Sequence, residues 1–218
     1  MSKKAVVLLS SGLDSSVNLF KAHRELHVIR ALTFNYGQRA AKKEIACSQN
    51  LCQMLGIEHQ VVPLEWLGHV TKTSLVNVAH DVPVGAAVSI DDYDQSMTTA
   101  KAVWVPNRNG IFLNVAAGIA EALGADYIIP GFNAEEAVTF PDNSQDFLTA
   151  TDVALSFSTA NHVKTLCYTT DMNKSQIVQL GRELSVPFEL LWPCYFSEDK
   201  WCGQCESCQR FNRAMKTI

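Results

Sequence analysis

The chain has 218 residues, 47% of them hydrophobic and 18% charged, with a formal net charge of −4. That length suits one domain with decorations and a substantial core, and the composition excludes disordered and fibrous classes. The acidic balance argues against broad binding to a nucleic-acid backbone, which needs a basic face, and leaves only Arg210, Arg213 and Lys216 as a local basic patch.

In chain order, Ala5–Leu9 reads as a buried strand. It runs into the small-residue turn Ser10-Ser11-Gly12, and a helix begins at about Asp14. A strand ending in such a turn aims free backbone N–H groups and the positive end of a helix at one spot, which suits phosphate. Ser15–Leu26 is the first helix, Val28–Phe34 a second strand and Gln38–Leu55 a second helix, stopped by Gly56; Glu58–Leu64 is a third strand. Residues 66–104 break the rhythm and read as a loop or lid. Then follow helix Ile111–Leu123, strand Tyr127–Pro130, helix Asp146–Thr159, strand Val163–Tyr168 and helix Lys174–Leu184, whose Asn173 and Gln176 fit a capping box.

Alternating strands and helices predict an α/β, Rossmann-like fold with a mainly parallel sheet and helices on both faces. Ligands then lie beyond the carboxyl ends of the strands, where the opening turn, the Phe34–Arg39 turn and Gly131-Phe132-Asn133 meet. The division expected is an α/β domain over 1–190 and a small metal-binding segment over 191–218.

That last segment holds Cys194, Cys202, Cys205 and Cys208. Four thiolates with two-residue spacers supply a closed tetrahedral site for a structural Zn²⁺, an iron–sulfur cluster being the lesser alternative. Cys47, Cys52 and Cys167 sit in apolar patterns and read as core thiols. The six histidines form no metal spacing; His23, His27 and His59 read as solvated. The five-residue apolar run after Lys4 is too short for a signal peptide, and no stretch reaches the length of a membrane span. The expectation is a cytoplasmic protein without membrane or direct nucleic-acid partners.

The opening turn resembles Ser-Gly-Gly-x-Asp-Ser, the loop of the PP-loop ATP-pyrophosphatases, with Ser11 where that family has its first Gly. With Phe34-Asn35-Tyr36-Gly37-Gln38-Arg39, Val105-Pro106-Asn107-Arg108-Asn109, Phe140-Pro141-Asp142, Asn173-Lys174 and the four terminal cysteines, the resemblance narrows to the QueC family over nearly the whole chain. A second departure is Asn143-Ser144, where many relatives carry Cys-Arg.

The resemblance implies a carbon–nitrogen ligase that converts 7-carboxy-7-deazaguanine and ammonia to the 7-cyano compound with ATP, in queuosine biosynthesis, and a homodimer. It implies an ATP site formed by Leu9, Ser10, Ser11, Gly12, Leu13, Asp14, Ser15, Ser16, Val17, Asn18 and Leu19 with Phe34. In this reading Asp14 binds Mg²⁺ or caps its helix, and Arg108 and Lys174 neutralise phosphate charge. Asp142 takes the guanine-like edge, and Phe132 or Phe140 stacks on the base. The rival readings are another PP-loop adenylating enzyme, of tRNA-thiolation or amidation type, and a non-catalytic zinc-containing module.

Overall fold

A computed structural model describes residues 2–217. In chain order these form β1 (Lys4–Leu8), α1 (Leu13–Glu25), β2 (His27–Asn35), α2 (Ala41–Leu55), β3 (His59–Pro63), α3 (Glu65–Val70), α4 (Tyr93–Val103), α5 (Arg108–Ala122), β4 (Tyr127–Ile129), α6 (Ala134–Ala137), α7 (Gln145–Ser158), β5 (Lys164–Thr165), α8 (Lys174–Glu183) and α9 (Glu206–Lys216). The strands form one sheet in the order β3-β2-β1-β4-β5, parallel at every pairing.

The pleat explains why β1 is apolar from Ala5 onward. Successive side chains point to opposite faces, and both faces are covered. Ala5, Val7 and Leu9 join a core with Val17 and Leu19 of α1, Ile177 and Val178 of α8, and Phe211 and Ala214 of α9. Val6 and Leu8 join a core on the other face with Leu113, Ala116 and Ala117 of α5 and Leu148 and Leu155 of α7. The cysteine-bearing tail therefore shares the central core through α9. The chain winds outward from β1 in both directions, so the crevice at the carboxyl end of β1 is the switch point where ligands bind in such sheets.

The capping box at Asn173 and Gln176 is present, and Gly56 adopts the left-handed conformation at the end of α2. Other sequence expectations need correction. The stretch 66–104 contains α4 as well as most of α3, and it is tied down by Arg39 Nε donating to Ser74 O (2.7 Å) and Thr99 Oγ1 to Glu206 (2.9 Å). Residues 71–92 are loop apart from the short turn Gly85–Ala87, but Asp92 caps α4 by accepting from Gln95 N at 2.9 Å. Strand β5 is two residues long rather than six. Helix α6 is too short to show a period; α9 carries one, with Cys208, Phe211 and Ala214 buried on one face, inside the segment read for its metal spacing. Arg210 and Arg213 pair with Glu206, Glu135 and Asp91, so they are no free basic patch. His59 is half-buried, and its ring bonds Thr33 Oγ1 at 2.8 Å.

Candidate active site

One cleft of about 250 Å³ opens at the switch point. Its floor is the turn between β1 and α1. Ser11 holds φ +56°, a left-handed backbone that usually belongs to glycine. Its hydroxyl donates to Ser10 O (2.6 Å), and its own carbonyl accepts from Trp192 N (2.8 Å), tying the turn to the C-terminal segment. Ser15 Oγ accepts from Ser10 N (3.3 Å), which closes the turn around its free N–H groups. The N-cap of α1 is Gly12, with no side-chain cap, so Asp14 does not cap the helix, and that alternative for it falls.

Asp14 instead enters a buried ion cluster. Lys174 Nζ lies 2.5 Å from Asp14 Oδ2 and 2.7 Å from Glu136 Oε1. Asn133 Nδ2 donates to the same Asp14 oxygen (3.2 Å). Burial works against the Lys174 ammonium, but the charges of Asp14 and Glu136 outweigh it and hold the pKa above its ordinary value. Burial also pushes up Asp14, with Lys174 opposing. Asp14 Oδ1 is buried with no hydrogen-bond partner. An ionised oxygen left bare in a cleft costs free energy unless a ligand covers it.

Gly131 makes the cluster geometrically attainable. A Cβ there would sit 2.4 Å from Ser15 N and 2.5 Å from Ser15 Cα. Its absence lets the turn after β4 lie against the start of α1, which brings Asn133 and Glu136 to Asp14. A chain of hydrogen bonds continues outward from this cluster. Glu135 accepts from Lys174 N (2.8 Å) and from Arg213 (2.8 Å), and Glu206 accepts from Arg210 Nε and Nη2 (3.0 and 2.8 Å). Arg210 and Glu206, both on α9, reach the cleft and were not foreseen; buried ionic residues on a helix carry no local signature.

The opposite wall is aromatic. Phe34 and Phe112 stack with centroids 4.1 Å apart, Tyr36 meets Phe112 at 5.7 Å, and Trp104 lies parallel to Phe140 at 5.8 Å. Arg108 opens α5 after Asn107, itself at φ +49°, and lines the cleft with Asp142, Phe132 and Phe140. Burial lowers the Arg108 pKa, but Tyr36 and Asp142 beside it raise it further. Glu44, in the first turn of α2, also lines the cleft, and burial pushes its carboxyl up to about 7.

The sequence-derived site residues thus divide. Leu9, Ser10, Gly12, Leu13, Asp14, Ser15, Phe34, Arg108, Phe132, Phe140, Asp142 and Lys174 line the cleft. Ser11, Ser16, Val17, Asn18 and Leu19 lie behind it. Val17 and Leu19 are core, and Asn18 braces the neighbouring turn by donating to Thr169 Oγ1 (2.6 Å). Cys167, expected in the core, is half-buried beside Phe132 N at 3.4 Å.

The Sγ atoms of Cys194, Cys202, Cys205 and Cys208 all lie within 4.8 Å of one another. Hydrogen bonds from Cys205 and Cys208 pull the Cys194 thiol far down, while Cys194 pushes theirs up. Sulfurs so close that they must share protons fit a cation with soft ligands.

A family model described as queuosine biosynthesis protein QueC matches residues 4–218. The chain is 61% identical over 213 residues to the 7-cyano-7-deazaguanine synthase of Bdellovibrio bacteriovorus, covering 97% of this chain and 92% of that one. It is 49% identical to the synthase of the same name from Carboxydothermus hydrogenoformans (97% and 98% covered) and 50% to that from Methanosarcina mazei (99% and 94%). Among solved structures, a 4-thiouridine synthetase–RNA complex with bound ATP superposes with TM-score 0.52 at 18% identity, over 99% of this chain and 50% of that one. The NMN synthetase of Francisella tularensis gives 0.51 at 17%, over 99% and 78%. At those identities the likeness is one of fold.

Proposed function

The chain belongs to the QueC family, and from that membership and the cleft we propose that it makes 7-cyano-7-deazaguanine from 7-carboxy-7-deazaguanine, ammonia and ATP, by adenylating the substrate twice. The observation that carries this reading is that a phosphate-holding turn, a buried lysine and an aromatic wall share one cleft.

A carboxylate oxygen is a poor leaving group. Attack of that oxygen on the α-phosphorus of ATP forms an acyl-adenylate and releases pyrophosphate. Ammonia then attacks the acyl carbon, AMP leaves with the oxygen, and the amide remains after loss of a proton. The amide oxygen is equally poor as a leaving group. A second ATP adenylates it, and elimination of AMP with loss of the remaining N–H protons gives the nitrile.

Each group has work in that sequence. The first-turn N–H groups of α1 hold the departing pyrophosphate, with the Ser10 and Ser15 hydroxyls beside them. Main chain at Thr33 and Phe34 meets the adenine. The Lys174 ammonium, kept charged by its two carboxylates, and Arg108 neutralise charge that grows on the phosphates. Phe132 and Phe140 flank the base. Mg²⁺, where bound, supplies Lewis-acid stabilisation of the phosphates, and the unpartnered Asp14 Oδ1 is the oxygen that would hold it. The four cysteines would hold a structural Zn²⁺ that braces Trp192–Tyr195 against the cleft.

Mass spectrometry after incubation with ATP, 7-carboxy-7-deazaguanine and ammonium tests the proposal. Nitrile, AMP and pyrophosphate are the expected products. Pyrophosphate release without nitrile would favour a different PP-loop acceptor, and no ATP turnover at all would remove the enzymatic reading.

A further inference from the structure

The cleft is lined by five carboxylates, and three of them already have a cation: Asp14 and Glu136 share Lys174, and Glu206 holds Arg210. Asp142 and Glu44 both feel the Arg108 charge, and among the described residues neither forms an ion pair with it; burial raises both carboxyls. Glu44 differs in being held by a side chain that is itself fixed. Among the described residues its carboxylate has one hydrogen-bond donor, the neutral Gln38 Nε2 at 2.8 Å, and no ion pair. Gln38 is itself fully committed. Its amide nitrogen also donates to Phe34 O (2.9 Å), and its oxygen accepts from Tyr36 N (3.0 Å). Gln38 thus fixes the Glu44 carboxylate through one acceptor site of one oxygen and leaves acceptor sites on both oxygens for whatever occupies the cleft.

The surroundings select a flat ring. Phe112 stacks on Phe34 and meets Tyr36, so the aromatic wall runs from the end of β2 toward the start of α2, with Leu75 and Val103 beside it. A carboxylate against such a wall matches a ring edge that offers adjacent N–H donors. An adenine edge sets its amino group beside a ring nitrogen lone pair, which a carboxylate repels. A guanine-type edge sets a ring N–H beside an exocyclic amino group, two donors for two acceptor oxygens.

We propose that Glu44, positioned by Gln38, is the residue that reads the purine-like edge of the substrate, accepting hydrogen bonds from the N1–H and the 2-amino group of the deazaguanine ring. The assignment rests on the function proposed above. It takes the role given above to Asp142, whose carboxylate is held only by a long bond from the adjacent Asn143 Nδ2 (3.4 Å). A carboxylate beside this apolar wall has acceptor sites that few protein donors meet, so the correct base satisfies them, and a base lacking a donor does not.

Calorimetry on the full chain with 7-carboxy-7-deazaguanine and with its analogue lacking the 2-amino group tests this, with ATP binding as the folding control. Wild type should bind the amino compound about 10–100-fold more tightly, the range for a hydrogen bond to a charged group. Glu44→Gln should bring that ratio to within about threefold, and Asp142→Asn should keep it. Equal affinity of wild type for the two compounds, or a ratio lost in Asp142→Asn and kept in Glu44→Gln, overturns the proposal. If Glu44→Gln fails to bind ATP, Glu44→Asp decides. The shortened carboxylate should weaken the amino compound selectively, and unchanged selectivity overturns the proposal. Absence of wild-type binding to either compound would count instead against the proposed reaction itself.

Discussion

Glu44→Gln offers a second test that needs no substrate. Burial lifts the Glu44 carboxyl from 4.5 to about 7, with the Gln38 amide and Arg108 only partly opposing it. A carboxyl whose pKa is higher in the folded than in the unfolded chain binds its proton more tightly when folded. Its contribution to stability is therefore largest below about pH 4.5 and is lost as pH rises through about 7. At about 1.36 kcal/mol per tenfold change in proton affinity, the whole span is worth about 3 kcal/mol. Glutamine keeps the shape and the acceptor for Gln38 and cannot ionise. Urea unfolding of metal-loaded wild type and variant at pH 5 and pH 8.5 reads the difference. The metal site titrates in both proteins and cancels. The variant should gain roughly 2–3 kcal/mol on wild type between the two pH values. Parallel stabilities at both would refute the argument that Glu44 is a desolvated carboxylate without a counter-ion.

Four further outcomes follow from the same geometry. Gly131→Ala should push the start of α1 away, because its Cβ would lie 2.4 Å from Ser15 N; ATP affinity by calorimetry should fall at least about tenfold with the fold retained, a range set by disturbing charge-assisted phosphate contacts. Lys174→Met should destabilise the chain by about 3–5 kcal/mol by stranding Asp14 and Glu136, and adding Asp14→Asn should recover part of that loss; simple additivity of the two changes in urea titration would contradict a shared cluster. Ser11→Gly should leave stability within about 1 kcal/mol, whereas Ser11→Val, a β-branched residue at φ +56°, should cost at least about 2 kcal/mol. Cys202→Ser should lose metal by elemental analysis and lower the midpoint of thermal unfolding, since ligand binding energy is also folding energy; full metal content would contradict a four-thiolate site.

The fold was legible where the signal is local. The apolar run of β1, the Gly/Ser turn after it, the box at Asn173 and the stop at Gly56 are each set by nearest-neighbour sterics and short-range hydrogen bonds, so sequence windows carry them. Reading 66–104 as loop holds for residues 71–92, apart from the short turn Gly85–Ala87, and fails at α3 and α4, where Asp92 caps a helix that is held against Glu206. Helix α9 has an apolar stripe of Cys208, Phe211 and Ala214, but the burial of its ionic residues has no local signal. Its Arg210 and Glu206 look like surface residues in a window and are buried only because they neutralise one another.

By itself, the sequence determined the chemistry available: a Gly/Ser turn at a helix start whose free N–H groups suit an anion, four thiols at metal spacing and the strand–helix alternation that builds a parallel sheet. Only the tertiary structure decided which charges meet. Asp14 and Lys174 are 160 residues apart in the chain and 2.5 Å apart in space, and Glu136, Arg210 and Glu44 reach the same cleft from three other elements. Periodicity records which face of an element is buried, but it holds nothing about which elements are neighbours. That depends on the strand order and on the close approach at Gly131, where a missing Cβ lets two turns touch.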